Sequence, residues 1–265
     1  MRLASISSGS SGNCIYVGSD KTNLLIDAGI SGKRIENGLK GIGVLAEDVD
    51  GILITHEHAD HISSIGVMSR RYSIPIYATG GTIEGIMASP GTGAIDESLF
   101  NEIEAGDDFS IGDIKVHPQS ISHDANDPVA YRFFSKGRSA AVVTDLGVYD
   151  EDIVEAFYGV NALLLEANHD VNMLQVGRYP YYLKRRILGD KGHLSNESAG
   201  KLLCRLLTNE LHTVLLGHLS AENNLPELAF EAVRLELMMG SKLYDPQKVK
   251  LKVASRSECS EIINV

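Results

Sequence analysis

The stretch Thr55-His56-Glu57-His58-Ala59-Asp60-His61 places four potential metal ligands, His56, His58, Asp60 and His61, within six residues, directly after the apolar run Gly51-Ile52-Leu53-Ile54. Alternate residues of an extended segment project to the same side, so His56 and His58 are able to grip one ion together. Asp60 and His61, at the turn into a following helical pattern, are placed to reach a second. Imidazole and carboxylate donors suit zinc, manganese or iron, and no cysteine lies nearby to narrow the choice. A solvated loop of chance histidines would leave the rest of the chain unexplained, because four other apolar runs end in the same way.

Asn23-Leu24-Leu25-Ile26 runs into Asp27, Ala140-Ala141-Val142-Val143-Thr144 into Asp145, Leu163-Leu164-Leu165 into Glu166, and Thr213-Val214-Leu215-Leu216-Gly217 into His218. Short continuous apolar runs are expected of strands buried on both faces, and α/β architectures gather chemistry in the loops at strand ends. Helical patterns over about 31–39, 61–72, 150–158, 179–188, 196–208 and 226–239 are expected to cover the sheets. Between 107 and 134 the pattern alternates, so that Ile111 to His117 reads as one antiparallel strand and Ala130 to Phe134 as another. Together these elements predict an α/β fold, an αββα sandwich. The chain has 265 residues, 43% of them hydrophobic, and no stretch that reads as a linker, so a single domain over 1–265 is expected.

A dense ligand motif needs remote partners, and His123, Asp145 and His218 are the best candidates. Glu166-Ala167-Asn168-His169-Asp170 follows a strand, and Gly192-His193-Leu194-Ser195 precedes a helix. Glu166 is thus placed to orient His193 and keep it protonated, as an acid for a departing oxygen. The structural alternative makes Glu166 a strand-end carboxylate and His193 a hydrogen-bonder at the helix start, where Ser195 serves as cap. His169 is a candidate phosphate contact or a satisfied loop histidine. His117 and His212 are expected to be structural. Arg178, Lys184, Arg185, Arg186 and Lys191 form the one basic cluster near Glu166 and His193. They read either as a solvated helix face or as a phosphate track, with Arg178, Lys184 and Arg185 as candidate substrate contacts. The Ser8 to Asn13 loop reads as a tight turn, with a phosphate-binding backbone nest as the alternative.

The formal net charge of −11 argues against indiscriminate adhesion to nucleic acid. Two divalent ions in one cleft would nevertheless reverse the local field. Cys14, Cys204 and Cys259 are few and odd in number and do not form a disulfide framework. The start Met1-Arg2-Leu3-Ala4-Ser5 lacks the features of a signal peptide, and no apolar run approaches a membrane span, so a cytoplasmic protein without a membrane partner is expected.

Thr55 to His61, with Asp27 before it and His123, Asp145 and His218 after it, resembles the metallo-β-lactamase superfamily over nearly the whole chain. The resemblance implies one metal held by His56, His58 and His123, a second by Asp60, His61 and His218, Asp145 as the bridge, and Asp27 fixing the ligand loop by hydrogen bonds. It also implies hydrolysis by water shared between two divalent ions about 4 Å apart, with Asp60 as both ligand and proton acceptor. The Glu166/His193 pair is similar to that of RNase Z-type nucleases. Ser8 to Cys14, Ser122-His123-Asp124-Ala125, Glu166 to Asp170, and Gly217-His218-Leu219-Ser220 with Asn223-Asn224 resemble the bacterial YycJ/WalJ family. That likeness implies a manganese-dependent DNA exonuclease associated with DNA repair, with DNA as its partner. No inserted arm of the RNase Z kind is present, and there is no room for a β-CASP cap. A hydrolase of lactones, thioesters or cyclic phosphodiesters is the alternative, mildly favoured by the acidic charge. Protein partners are not indicated.

Overall fold

The computed structural model describes residues 1–240, 245 and 247–265. The first half of the chain lays down β1 (Arg2–Ser7), β2 (Cys14–Gly18), β3 (Asn23–Ile26), α1 (Gly32–Gly41), β4 (Gly51–Leu53), α2 (Ala59–Ile62), α3 (Ile65–Tyr72), β5 (Ile76–Thr79), α4 (Gly80–Ala88) and β6 (Phe100–Ile103). The second half supplies β7 (Phe109–Ile111), β8 (Ile114–Ser120), β9 (Val129–Ser135), β10 (Arg138–Val143), α5 (Glu151–Phe157), β11 (Ala162–Glu166), α6 (Val171–Val176), α7 (Tyr181–Leu188), α8 (Asn196–Leu206), β12 (Thr213–Gly217), α9 (Pro226–Gly240), β13 (Lys250–Val253) and β14 (Ile263–Asn264). Among the described residues these strands form two sheets, ordered β14-β1-β2-β3-β4-β5-β6 and β13-β12-β11-β10-β9-β8-β7. In each sheet a run of parallel strands, β3 to β6 and β10 to β13, adjoins antiparallel ones.

Period-two burial explains why the apolar runs are continuous. Leu24 and Ile26 of β3, Val142 of β10, Leu164 of β11 and Leu215 of β12 meet in a core between the sheets. Their neighbours turn outward: Leu25 packs with Ile35 of α1 and Met68 of α3, while Leu163, Leu165 and Leu216 pack with Leu202 of α8 and Val233 of α9. These central strands are therefore buried on both faces, and the architecture is the expected αββα sandwich.

Three local readings change. The helix anticipated over 61–72 is two helices, because the Ser64 amide leaves the helical ladder to donate to Ala28 O (2.8 Å), while Ala28 N bonds His61 O (2.7 Å). The strand anticipated from Ile111 to His117 is a hairpin: Ile111 pairs with Ile114 across Gly112-Asp113, with Gly112 at φ 56°. Helices α4 and α6 were not anticipated, the first because it opens on Gly80-Gly81. Among the described residues no helix is long and apolar enough to cross a membrane. Cys14 is buried, and Cys204 and Cys259 are half-buried; none forms a disulfide.

Candidate metal centre

Five strand ends converge on one spot. Asp27 follows β3, His56 follows β4, Asp145 follows β10, Glu166 closes β11 and His218 follows β12. Asp27, Asp145 and His218 hold left-handed backbone conformations, at φ 62°, 59° and 52°. This region is uncommon for residues other than glycine, and Asp and His enter it more readily than most. At each the chain turns out of its strand, and the three side chains come together, Asp27 and Asp145 at His61 and His218 at Asp145.

Asp27 is the hub of the ligand loop. Its Oδ1 accepts from Thr55 N (2.9 Å), and its Oδ2 accepts from Thr55 Oγ1 (3.0 Å) and from His61 Nδ1 (2.8 Å). Tying down Nδ1 turns the other nitrogen of His61 to the centre, where Nε2 faces Asp60 Oδ2 (3.5 Å) and Asp145 Oδ2 (3.3 Å). Asn13 Nδ2, from the loop after β1, stands 3.1 Å from the same nitrogen. His123 donates Nδ1–H to Gly192 O (3.1 Å), which aims its Nε2 at His58 Nδ1, 3.3 Å away. His218 Nε2 lies 3.3 Å from Asp145 Oδ1.

Donor atoms of His56, His58 and His123 lie within 4.8 Å of one another, as do those of Asp60, His61 and His218. Asp145 joins a further such group with His56 and His61, and another with Glu166, His193 and His218. Sequence-distant candidates and the dense motif therefore share one centre, with Asp145 between the two triads.

The electrostatics of this centre fit a bound cation. His56 Nε2 and Asp145 Oδ2 are buried without a hydrogen-bond partner, an expensive condition for polar atoms. Burial, reinforced by His61, holds His56 well below the usual imidazole range, so its ring is neutral and able to ligate. For Asp145 burial pushes upward, but His218, His61, His56 and His123 outweigh it and keep the carboxylate well below its ordinary range. Burial likewise opposes charge on His61, yet Asp145, Asp27 and Asp60 hold it protonated well above the ordinary range. A divalent ion would take the place of that proton.

Beside the ligand groups stands a second constellation. Glu166 is fully buried; its Oε2 accepts from Leu146 N (2.9 Å) and Leu194 N (3.1 Å), and its Oε1 from His193 Nδ1 (2.8 Å). His193 Nδ1 is also 3.6 Å from Asp145 Oδ1. Burial alone would lower this imidazole, but Glu166, through charge and hydrogen bond, with Asp145 and Asp60 behind it, raises its pKa to about 9. Glu166 thus pins the strand end, the loop after β10 and His193 together.

A cavity of about 280 Å³ opens over these groups, with His58, Asp60, Asp145, His193 and His218 on its floor. Not all the remaining candidates reach it. His169 is buried outside the lining, and neither of its ring nitrogens has a hydrogen-bond partner; burial lowers its pKa to about 4. Lys184 Nζ donates to Gln175 O and Gly177 O (2.7 Å each), closing the α6–α7 loop. Arg185 is exposed and outside the lining, and Arg178 lines a neighbouring cavity. The cation on the wall is Arg186, paired with Asp124. Helical spacing was the available signal: Leu183, Arg186 and Ile187 stand at i, i+3 and i+4 and all line the cavity.

The Ser8 to Asn13 loop is a turn closed by Gly9 N donating to Asn13 Oδ1 (3.0 Å). It also supports the site, since Ser8 Oγ accepts from His218 N (2.8 Å) and Ser10 lines the cavity. Ser195 caps α8 by accepting from Ser198 N (3.1 Å). His117 bonds Asp108 (2.7 Å), away from the centre.

Comparison with known proteins agrees with this geometry. A family model described as the β-lactamase superfamily domain matches residues 22–218. Exodeoxyribonuclease YycJ of Bacillus anthracis is 42% identical over 229 residues, 86% of each chain. Exodeoxyribonuclease WalJ of Streptococcus pneumoniae serotype 2 is 43% identical over 224 residues, 84% of this chain and 83% of that protein. Among solved structures, the metallo-β-lactamase fold protein YhfI of Bacillus subtilis superposes with a TM-score of 0.70 at 16% identity, over 98% of both chains. The chain belongs to the metallo-β-lactamase superfamily, in the family that contains these YycJ and WalJ proteins.

Proposed function

We propose that this protein is a metal-dependent phosphodiesterase that removes nucleotides from an end of DNA. The observation that carries the reading is the Glu166–His193 pair, set against Asp145 in the same cavity as the two ligand triads. A charged imidazole beside a shared carboxylate suits a reaction whose leaving group is a sugar oxygen in need of a proton. The names of the YycJ and WalJ relatives point to DNA as the substrate.

His56, His58 and His123 would hold one ion and Asp60, His61 and His218 a second, with Asp145 shared. The donor set suits manganese, zinc or iron. Two divalent ions there would lower the pKa of a water and offset charge on the attacked phosphate. Asp60, whose carboxylate is part-exposed at the cavity floor, accepts the proton of the attacking water. His193 gives up its proton to the departing oxygen, and Glu166 keeps the ring oriented and charged. Arg186, facing the same cavity, meets a phosphate oxygen.

The test is incubation of the manganese-loaded protein with end-labelled single-stranded and duplex DNA, beside an Asp60→Ala variant and a panel of esters, thioesters and lactones. Release of mononucleotides by the parent alone is the expected result. Cleavage no greater than that of the variant, or turnover confined to the small esters, overturns the reading.

A further inference from the structure

The segment from Arg178 into α7 carries features that neither the fold nor the metal centre uses. Tyr181 and Tyr182, in the first turn of the helix, are 76% and 75% exposed, and neither hydroxyl has a hydrogen-bond partner among the described residues. Large exposed aromatic side chains in contiguous sequence mark a binding surface. They lie among cations: residues 178–191 hold Arg178, Lys184, Arg185, Arg186 and Lys191 against one acid in the segment, Asp190, in a chain with 24 basic and 35 acidic residues; Arg186 is paired with Asp124 from outside the segment, and Lys184 Nζ is held by two backbone carbonyls. At i, i+4 spacing, Tyr182 neighbours Arg186 on the helix surface, and Tyr181 neighbours Arg185.

Tyr181 and Tyr182 line neither of the neighbouring cavities, but they follow closely on a residue that borders both. Tyr179 lines the cavity over the ligands and also a second, open cavity of about 810 Å³, whose wall includes Arg178 and the acid Glu222. A path therefore runs from Arg178 past Tyr179 to Arg186 and onto the ligand floor.

We propose that this path, together with the exposed helix surface beside it that bears Tyr181 and Tyr182, is a single-strand track, on which bases of an unpaired end of nucleic acid stack against the two tyrosines while Arg178 and Arg186 meet its phosphates. The proposal rests on the phosphodiesterase reading and specifies its substrate. An aromatic ring stacks on a base only where the base has left its own duplex stack, so the surface selects a frayed or single-stranded end over a blunt one. The local reversal of charge fits a polyanion and reconciles an acidic protein with an acidic substrate.

The test measures binding of the metal-loaded protein to two fluorescent strands with cleavage-resistant phosphorothioate links: a twelve-residue oligothymidylate and an abasic strand of equal length and charge. Stacking is worth about 1–3 kcal/mol per base, which converts to roughly 5- to 150-fold. The parent is expected to prefer the thymidylate by at least about tenfold. Tyr181→Ala/Tyr182→Ala is expected to abolish most of that preference, and Tyr181→Phe/Tyr182→Phe to keep it. Equal affinity of the parent for both strands, or a preference unaltered in the double alanine variant, overturns the track and leaves the tyrosines to a protein partner. A parent that hydrolyses bis-p-nitrophenyl phosphate yet neither binds nor degrades any strand refutes the nucleic-acid reading itself, a different outcome from loss of the track alone.

Discussion

His193 owes its charge chiefly to Glu166, with Asp145 and Asp60 behind it. Its pKa of about 9 exceeds the ordinary imidazole value because Glu166, at 2.8 Å, overcomes the cost of burial. The imidazole is fully protonated below its ordinary value near 6.5 and loses its proton only as pH rises through about 9. Glu166→Gln removes the charge and keeps the shape, so the alkaline limb of the kcat–pH profile for phosphodiester turnover is expected to move to lower pH by at least about one unit. At neutral pH kcat should fall about 10²-fold, within the range of general acid catalysis. An unmoved limb would exclude His193 as the acid. Asp27 acts at the same scale through His61. Asp27→Asn keeps an acceptor but not the charge, and metal affinity, read by competition with a chromogenic chelator, is expected to weaken about 10- to 100-fold.

The elements are held in register at one contact of unusual closeness. A Cβ on Gly29, in the loop after β3, would lie 1.6 Å from Asp60 O of α2, so only glycine lets that loop reach the helix carrying Asp60 and His61. Gly29→Ala must push α2 away. The expected cost is about 3 kcal/mol in denaturant unfolding, with lost metal uptake as a second readout. Helix α8 offers a milder case, since Ser195→Ala deletes the acceptor for Ser198 N and is expected to cost about 1 kcal/mol with metal content intact. The sequence predicted both caps and strand ends well where the signal is local. It missed α4 behind its two glycines and merged α2 with α3, because the break at Ser64 is set by Ala28, thirty-six residues earlier.

At the scale of the whole molecule, the centre sits where the two sheets meet, and its ligands come from both. A bound ion would therefore link the two halves of the fold, adding to the apolar core between them and to hydrogen bonds such as Tyr131 Oη to Ile54 O (2.7 Å). Binding at about 100 times Kd stabilises the native state by about 2.7 kcal/mol. Chelation is accordingly expected to lower Tm by about 5–10 °C, with manganese restoring both Tm and turnover. An unchanged Tm in a chelator that strips the metal would show that the ligands are preorganised without it.

Sequence alone determined the inventory: apolar runs ending at Asp27, His56, Asp145, Glu166 and His218, the dense motif at 55–61, and the basic segment after 178. These were legible because buried strands and ligand spacing are local patterns, and the remote partners then followed from likeness to a known family. Tertiary structure decided the rest. Leaving Asp27, Asp145 and His218 in left-handed conformations, pinning Glu166 between two loop amides and His193, and turning Arg186 to the cavity each depend on groups far away in the chain. Which of several adjacent cations faces a site is settled by helix phase and neighbouring backbone, and those exist only once the sheets have packed.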